Sequence, residues 1–176
     1  PKGRFNSVCF VYRDSLYVFG GTDNSSNMNE IVRYDLSTQN SGEWTTIAKV
    51  NEANQRGGVA FVVEDKVYAG LGEKSNGIRN GVSSDSLTKW ELIPSIPAQL
   101  GVISSGVYDE QKKSFFMIDN DGKIWEYNLT TEQWTSRSLW IRMKNYHMFM
   151  LDGSIYILGQ DIYQKNKFTV YNPIWD

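Results

Sequence analysis

The stretch Leu16-Tyr17-Val18-Phe19-Gly20-Gly21, followed by Tyr34-Asp35-Leu36 and then Trp44, decides how this chain reads. Upstream of it lies a second apolar run, Ser7-Val8-Cys9-Phe10-Val11-Tyr12, with turn residues Arg13-Asp14-Ser15 between the two. Short runs rich in Val, Phe and Tyr, broken by polar turns, are strand signals, and a run of this length is too short for a helix. Two strands apolar on both faces, then the more amphipathic Ile31 to Leu36 and a short strand at Trp44-Thr45-Thr46-Ile47, describe a four-stranded antiparallel sheet stacked between neighbours.

The plan recurs. Trp44, Trp90, Trp134 and Trp175 follow one another at 46, 44 and 41 residues, a period that marks a repeated supersecondary unit. The second unit runs Val59 to Val63, turns at Glu64-Asp65-Lys66 and continues through Val67 to Gly72. The third runs Val102 to Tyr108, then Phe115 to Ile118, then Ile124 to Leu129, where Trp125, Tyr127 and Leu129 share one face and Glu126 and Asn128 the other. The fourth has His147 to Leu151, the turn Asp152-Gly153, Ile155 to Gly159, and Val170-Tyr171. Expected unit boundaries are 4–48, 56–96, 100–138 and 142–176, within a single all-β region of 1–176.

These residues resemble the kelch repeat, the four-stranded blade of a β-propeller of the galactose oxidase type. The match is strongest in the first unit. The second keeps only Gly72 of the glycine pair and has Val82-Ser83-Ser84-Asp85 in place of the tyrosine; the third has Asp119-Asn120, and the fourth Gly159-Gln160. The resemblance implies packing roles for Gly20, Gly21, Gly72 and Gly159, as left-handed residues at a tight turn, and for the four tryptophans, each expected to cost about 3–5 kcal/mol on truncation. Four blades can form a small closed ring or a section of a larger propeller. The section is preferred, because the first strand begins at Arg4 and neither end offers an extra closing strand. An isolated section exposes apolar terminal faces and is expected to self-associate.

Composition agrees with a packed domain: 40% hydrophobic and 14% aromatic residues in 176. Eighteen Lys+Arg against twenty Asp+Glu leave a net charge of −2 without a basic stripe, which argues against nucleic acid as the main partner. No stretch approaches the length of a membrane span. Cys9 is the sole cysteine and, in an apolar strand, reads as a buried inert thiol. Asn24-Ser25-Ser26 and Asn128-Leu129-Thr130 fit the glycosylation pattern, which recurs by chance and at turns. The irregular Asn/Ser-rich repeats favour a bacterial periplasm or cell surface.

One histidine, His147, cannot supply the paired histidines of a copper site, so no metal or cofactor is expected. His147 reads as a strand residue near the propeller channel. Some bacterial kelch propellers mutarotate sugars such as sialic acid, which would need an acid and a base at the ring oxygen and anomeric hydroxyl; His147, Arg142 and Glu73 are the candidates for that alternative.

The preferred reading is a non-catalytic binding module. An arginine precedes the first strand in three of four units: Arg4, Arg56 and Arg142. Arginines so placed resemble those with which kelch adaptor proteins hold acidic peptides, through a planar fork of donors suited to carboxylates. With Arg79 and His147 they form the expected face for an acidic peptide, protein or glycan. The competing reading has the arginines bridging blades.

Overall fold

The computed structural model describes residues 2–23, 25–36, 42–50, 56–72, 81–84, 86–97, 105–119 and 121–173, with the backbone alone at 81–83 and 138–140. The described residues form fifteen β-strands in four antiparallel sheets, with no helix among them. No helix is therefore long and apolar enough to cross a membrane among those residues. The chain divides into two compact units, Pro1–Ser95 and Ile96–Asp176. Glu73, Arg79, Trp175 and the Asn24 and Asn120 positions lie outside the described residues.

The first unit holds two meanders. Strands β1 (Val8–Tyr12), β2 (Ser15–Phe19), β3 (Glu30–Asp35) and β4 (Trp44–Lys49) pair in sequence order. So do β5 (Val59–Val63), β6 (Lys66–Gly70), β7 (Gly81–Ser84) and β8 (Glu91–Leu92). The hairpin between β1 and β2 turns at Arg13 and Asp14, both with positive φ, the twist-matched geometry of two-residue hairpins. Phe10, Tyr12, Tyr17, Phe19 and Ile31 of the first sheet are buried with Val67, Ala69 and Leu87 of the second. Each such side chain contributes on the order of 1.5–3 kcal/mol.

The second unit holds β9 (Gly106–Asp109), β10 (Ser114–Ile118), β11 (Lys123–Asn128) and β12 (Gln133–Trp140) in one sheet, and β13 (Lys144–Leu151), β14 (Ser154–Gln160) and β15 (Asn166–Tyr171) in another. Val107, Phe116 and Ile118 are buried with Met148, Ile155 and Ile157. In both units, then, equivalent positions of one sheet pack on equivalent positions of the next.

Several expectations change here. Cys9 is exposed, because β1 turns Val8, Phe10 and Tyr12 inward and leaves the alternate face open. Glu126 is buried despite its charge, offset by its ion pair with Arg137 on the neighbouring strand. The glycines do two different jobs. Gly20 and Gly21 have φ of 65° and 93°, whereas Gly72 and Gly159 are not left-handed. A Cβ on Gly72 would lie 2.5 Å from the carbonyl oxygens of both Arg56 and Gly57, so close backbone approach requires that glycine. The left-handed position of the second sheet is filled instead by Leu71, φ 64°, which stands where Gly20 stands in the first.

The described tryptophans are not interchangeable either. Trp44 and Trp134 face Tyr34 and Tyr127 across the last strand pairs, with rings 5.3 and 4.8 Å apart. Trp44 nonetheless remains 37% exposed. In the second sheet Ser84 takes the tyrosine position. Its hydroxyl accepts from the Leu87 N–H and donates to the Lys89 carbonyl. Without a tyrosine partner, Trp90 stacks on Phe19 at 6.0 Å and donates its indole N–H to the Leu87 carbonyl.

Candidate functional site

At the start of the first, second and fourth meanders the chain runs beside the turn that ends the second strand. Phe5 and Thr22 exchange both backbone hydrogen bonds at 3.0 Å. Asn6, Gly57 and Asn145, each six residues before the last residue of the first strand, all take positive φ (53°, 67° and 50°). Asn and Gly tolerate that conformation best. This left-handed residue is the repeated element of the blade entry.

The arginines are not. Counted back from Tyr12, Val63 and Leu151, which close the first strands, Arg4 lies eight residues away, Arg56 seven and Arg142 nine. They occupy three different positions, and their apparent regularity in the sequence comes from shifts of one residue.

Their surroundings differ as well. The Arg4 side chain is only 6% exposed. It donates to Glu30 Oε1 at 2.5 Å, to the Gly20 carbonyl at 3.2 Å and to the Lys2 carbonyl at 3.3 Å. Arg4 thus ties the blade entry to its own sheet. Beside it Lys2 pairs with Asp23, whose carboxyl is held well below the ordinary carboxylate range, first by Lys2 and then by Ser25 and Ser26. Arg56 is exposed, and its carbonyl packs against Gly72. Arg142 is exposed just before β13, its backbone N–H against Gly122. His147 is exposed on the open face of β13, opposite Leu158. It lies on a sheet face, five residues beyond Arg142.

The loop after β14, one of those expected from the sequence to project from the blades, stands out for its tip. Asp161 closes a five-residue turn: its N–H donates to the Lys165 carbonyl at 2.9 Å, and its Oδ1 accepts from the N–H groups of Tyr163 and Lys165 at 2.9 and 3.0 Å. Asp119 builds the same turn between β10 and β11, accepting from Asp121 and Lys123. Asp119 follows Ser114 by five residues, but Asp161 follows Ser154 by seven. The β14–β15 hairpin therefore reaches about 6–7 Å further. At its tip Ile162 and Tyr163 are 68% and 75% exposed. Lys144 pairs in register with Gln160 at the base of this hairpin, and Lys165 and Lys167 follow the tip. The only sequence sign was the apolar pair Ile162-Tyr163 inside an otherwise polar loop.

The Asn128 side chain holds the turn between β11 and β12. Its Oδ1 accepts from the N–H groups of Thr130 and Thr131, and its Nδ2 donates to Ser114 Oγ at 3.2 Å. Among the described residues no three His, Cys, Asp or Glu side chains gather as a metal site.

The Kelch motif family matches residues 3–51, the first sheet with its entry segment. A solved structure titled "Structure of YjhT" superposes with a TM-score of 0.68 at 10% identity, over 96% of this chain and 66% of that one. This chain thus spans just under two thirds of that protein's length, and at such identity the likeness is one of fold. No curated protein matches. The Kelch motif thus coincides with the first sheet, and the likeness of fold extends over the antiparallel sheets that follow it.

Proposed function

We propose that this chain of kelch-type blades is a protein-interaction module that grips an acidic segment carrying an apolar residue. The Ile162–Tyr163 tip serves as anchor, and Arg142, Lys144 and Lys165 select for acidic character. The observation that carries the reading is the exposure of both tip side chains on a turn locked by Asp161. A tyrosine held on a rigid hairpin loses little entropy when it docks, and Tyr and Arg dominate binding hot spots. The surrounding cations would steer acidic partners and suppress basic ones. Arg4 contributes to stability in this reading, since Glu30 already holds its guanidinium.

The sugar-mutarotase alternative requires His147, Arg142 and Glu73 at one ring. His147 and Arg142 leave the same segment, and Glu73 lies outside the described residues, so no specific observation favours that reading over binding.

Selection from a displayed library of short random peptides tests the proposal. Enriched sequences should be rich in Asp and Glu around a bulky apolar residue, and Tyr163→Ala should weaken them by tenfold or more, about 1.4 kcal/mol, with the fold intact by circular dichroism. Peptides that bind Tyr163→Ala and Arg142→Ala as well as the parent chain would overturn it.

A further inference from the structure

At one end of the β13–β15 sheet three strand ends lie in a row. Lys144 opens β13, Gln160 closes β14 and Asn166 opens β15, with Gln160 paired to both of the others. The turn at 161–165 rises from β14 and β15, so cations stand on both of its flanks. Arg142 and Lys144 lie on the β13 side, Lys165 and Lys167 on the β15 side, and all four are exposed. Adjacent strands are about 4.8 Å apart, which separates the two outer strands by about 10 Å.

Between the flanks stands an apolar crest. Ile162 and Tyr163 follow Gln160 by two and three residues and are 68% and 75% exposed. A chain covers about 3.5 Å per residue at most, so the crest stands up to about 7–10 Å above the row. The turn is held upright from within. Gln164, at φ 62°, donates its N–H to the Asp161 carbonyl at 3.0 Å, while Asp161 Oδ1 holds the N–H groups of Tyr163 and Lys165. Lys167 is kept below the crest, its Nζ 3.8 Å from Asp161 Oδ2.

The surface is therefore a ridge, apolar along its top and cationic on both sides. A straight extended segment laid over it meets the crest and one flank, and leaves the other beyond the roughly 4 Å reach of an ion pair. A surface that curves down on both sides meets all three.

We infer that the partner is concave: a bent acidic loop that straddles the hairpin, its apolar residue seated on Ile162 and Tyr163. Its carboxylates descend on both sides, to Arg142 and Lys144 and to Lys165 and Lys167. The inference rests on the interaction role proposed above for this tip and adds the shape of what the tip receives. A ligand already held in its bound curvature loses less freedom on docking, so closure of the loop is the property to vary.

Two displayed libraries of short random peptides test this, one linear and one closed by a thioether, which is inert towards the exposed Cys9 thiol. Closed binders should lose tenfold or more in affinity when the ring is opened. They should lose as much when Lys144→Glu or Lys165→Glu reverses the charge on either flank. Lys144→Gln and Lys165→Gln repeat the measurement if a reversal changes the circular dichroism spectrum. Binders that tolerate ring opening, or that respond to one flank alone, overturn the inference and leave the interaction role standing. Libraries that yield no acidic binders, or only binders indifferent to Tyr163→Ala, overturn the role itself and the inference with it.

Discussion

Asp119 accepts the indole N–H of Trp125 on Oδ2 at 2.8 Å while its Oδ1 holds the N–H groups of Asp121 and Lys123. A carboxylate only 6% exposed is satisfied here because three donors converge on it. Asp119→Ala strands all three, and hydrogen bonds to charged groups are worth about 1.5–3 kcal/mol each. Urea unfolding should show a loss of about 3 kcal/mol, with Asp119→Asn intermediate. A loss below a quarter of that would mean the turn holds without the carboxylate.

Gly72 and Gly153 should separate crowding from backbone conformation. Gly72→Ala drives a methyl into the carbonyls of Arg56 and Gly57, and overpacking of this kind costs about 1–3 kcal/mol. Gly153 has φ 72° with nothing within 4 Å of a built Cβ. Gly153→Asn should therefore be close to neutral, since Asn accepts the left-handed region. Melting temperatures of the two variants check the order.

Leu71 sets two terms against each other. Its left-handed backbone costs about 1–2 kcal/mol, which Leu71→Gly would relieve. The side chain is 3% exposed, and deleting a buried leucine costs about 2–5 kcal/mol. Packing wins, so Leu71→Gly should destabilise. A stabilised variant would show that the side chain contributes less than its burial suggests.

Trp90→Ala should cost about 3 kcal/mol or more, because the ring lies on Phe19 within the first unit's core. Trp44→Ala should cost about 1 kcal/mol, the scale of a cross-strand aromatic pair. Equal losses in denaturant titrations would restore the equivalence that the spacing suggested.

Tyr146 donates its hydroxyl to the Ile118 carbonyl, and burial, followed by the nearby Asp119 charge, pushes its ionisation well above the usual 10.0. The folded state therefore keeps this proton more tightly than the unfolded state. Stability is unaffected by the group below pH 10 and falls as pH rises beyond it, by up to about 1.4 kcal/mol per pH unit. Tyr146→Phe should remove that part of the alkaline decline. Superimposable alkaline profiles of the two proteins would refute the assignment.

The strands of this fold were legible because alternation and turn residues coincide: Val8 to Tyr12, Arg13-Asp14 and Ser15 to Phe19 state a hairpin at every level. The first sheet's Tyr34 and Trp44 were likewise readable as belonging to successive strands, although their pairing was not. The blade entries were not, because the eye follows charge while the backbone follows dihedral angle. Arg4, Arg56 and Arg142 drew attention, yet Asn6, Gly57 and Asn145 are the residues the geometry repeats. Burial of Glu126 and exposure of Cys9 were hidden for a related reason, since which face of a strand is covered depends on a neighbouring sheet. The loop at 160–167 was readable as a projecting loop, but the prominence of Ile162-Tyr163 was not, because only the two added residues of β14 carry it outward.

That extension of β14 also shows how such a scaffold can vary its reach. Side chains along a strand alternate with a period of two, so adding one residue to each arm of a hairpin would present its closing turn on the opposite face. Adding two leaves every inward residue inward, from Ile155 and Ile157 to Tyr171, and simply raises the closing turn. Loop height on these blades is thereby a stepped quantity, and each step can be taken without repacking what lies beneath.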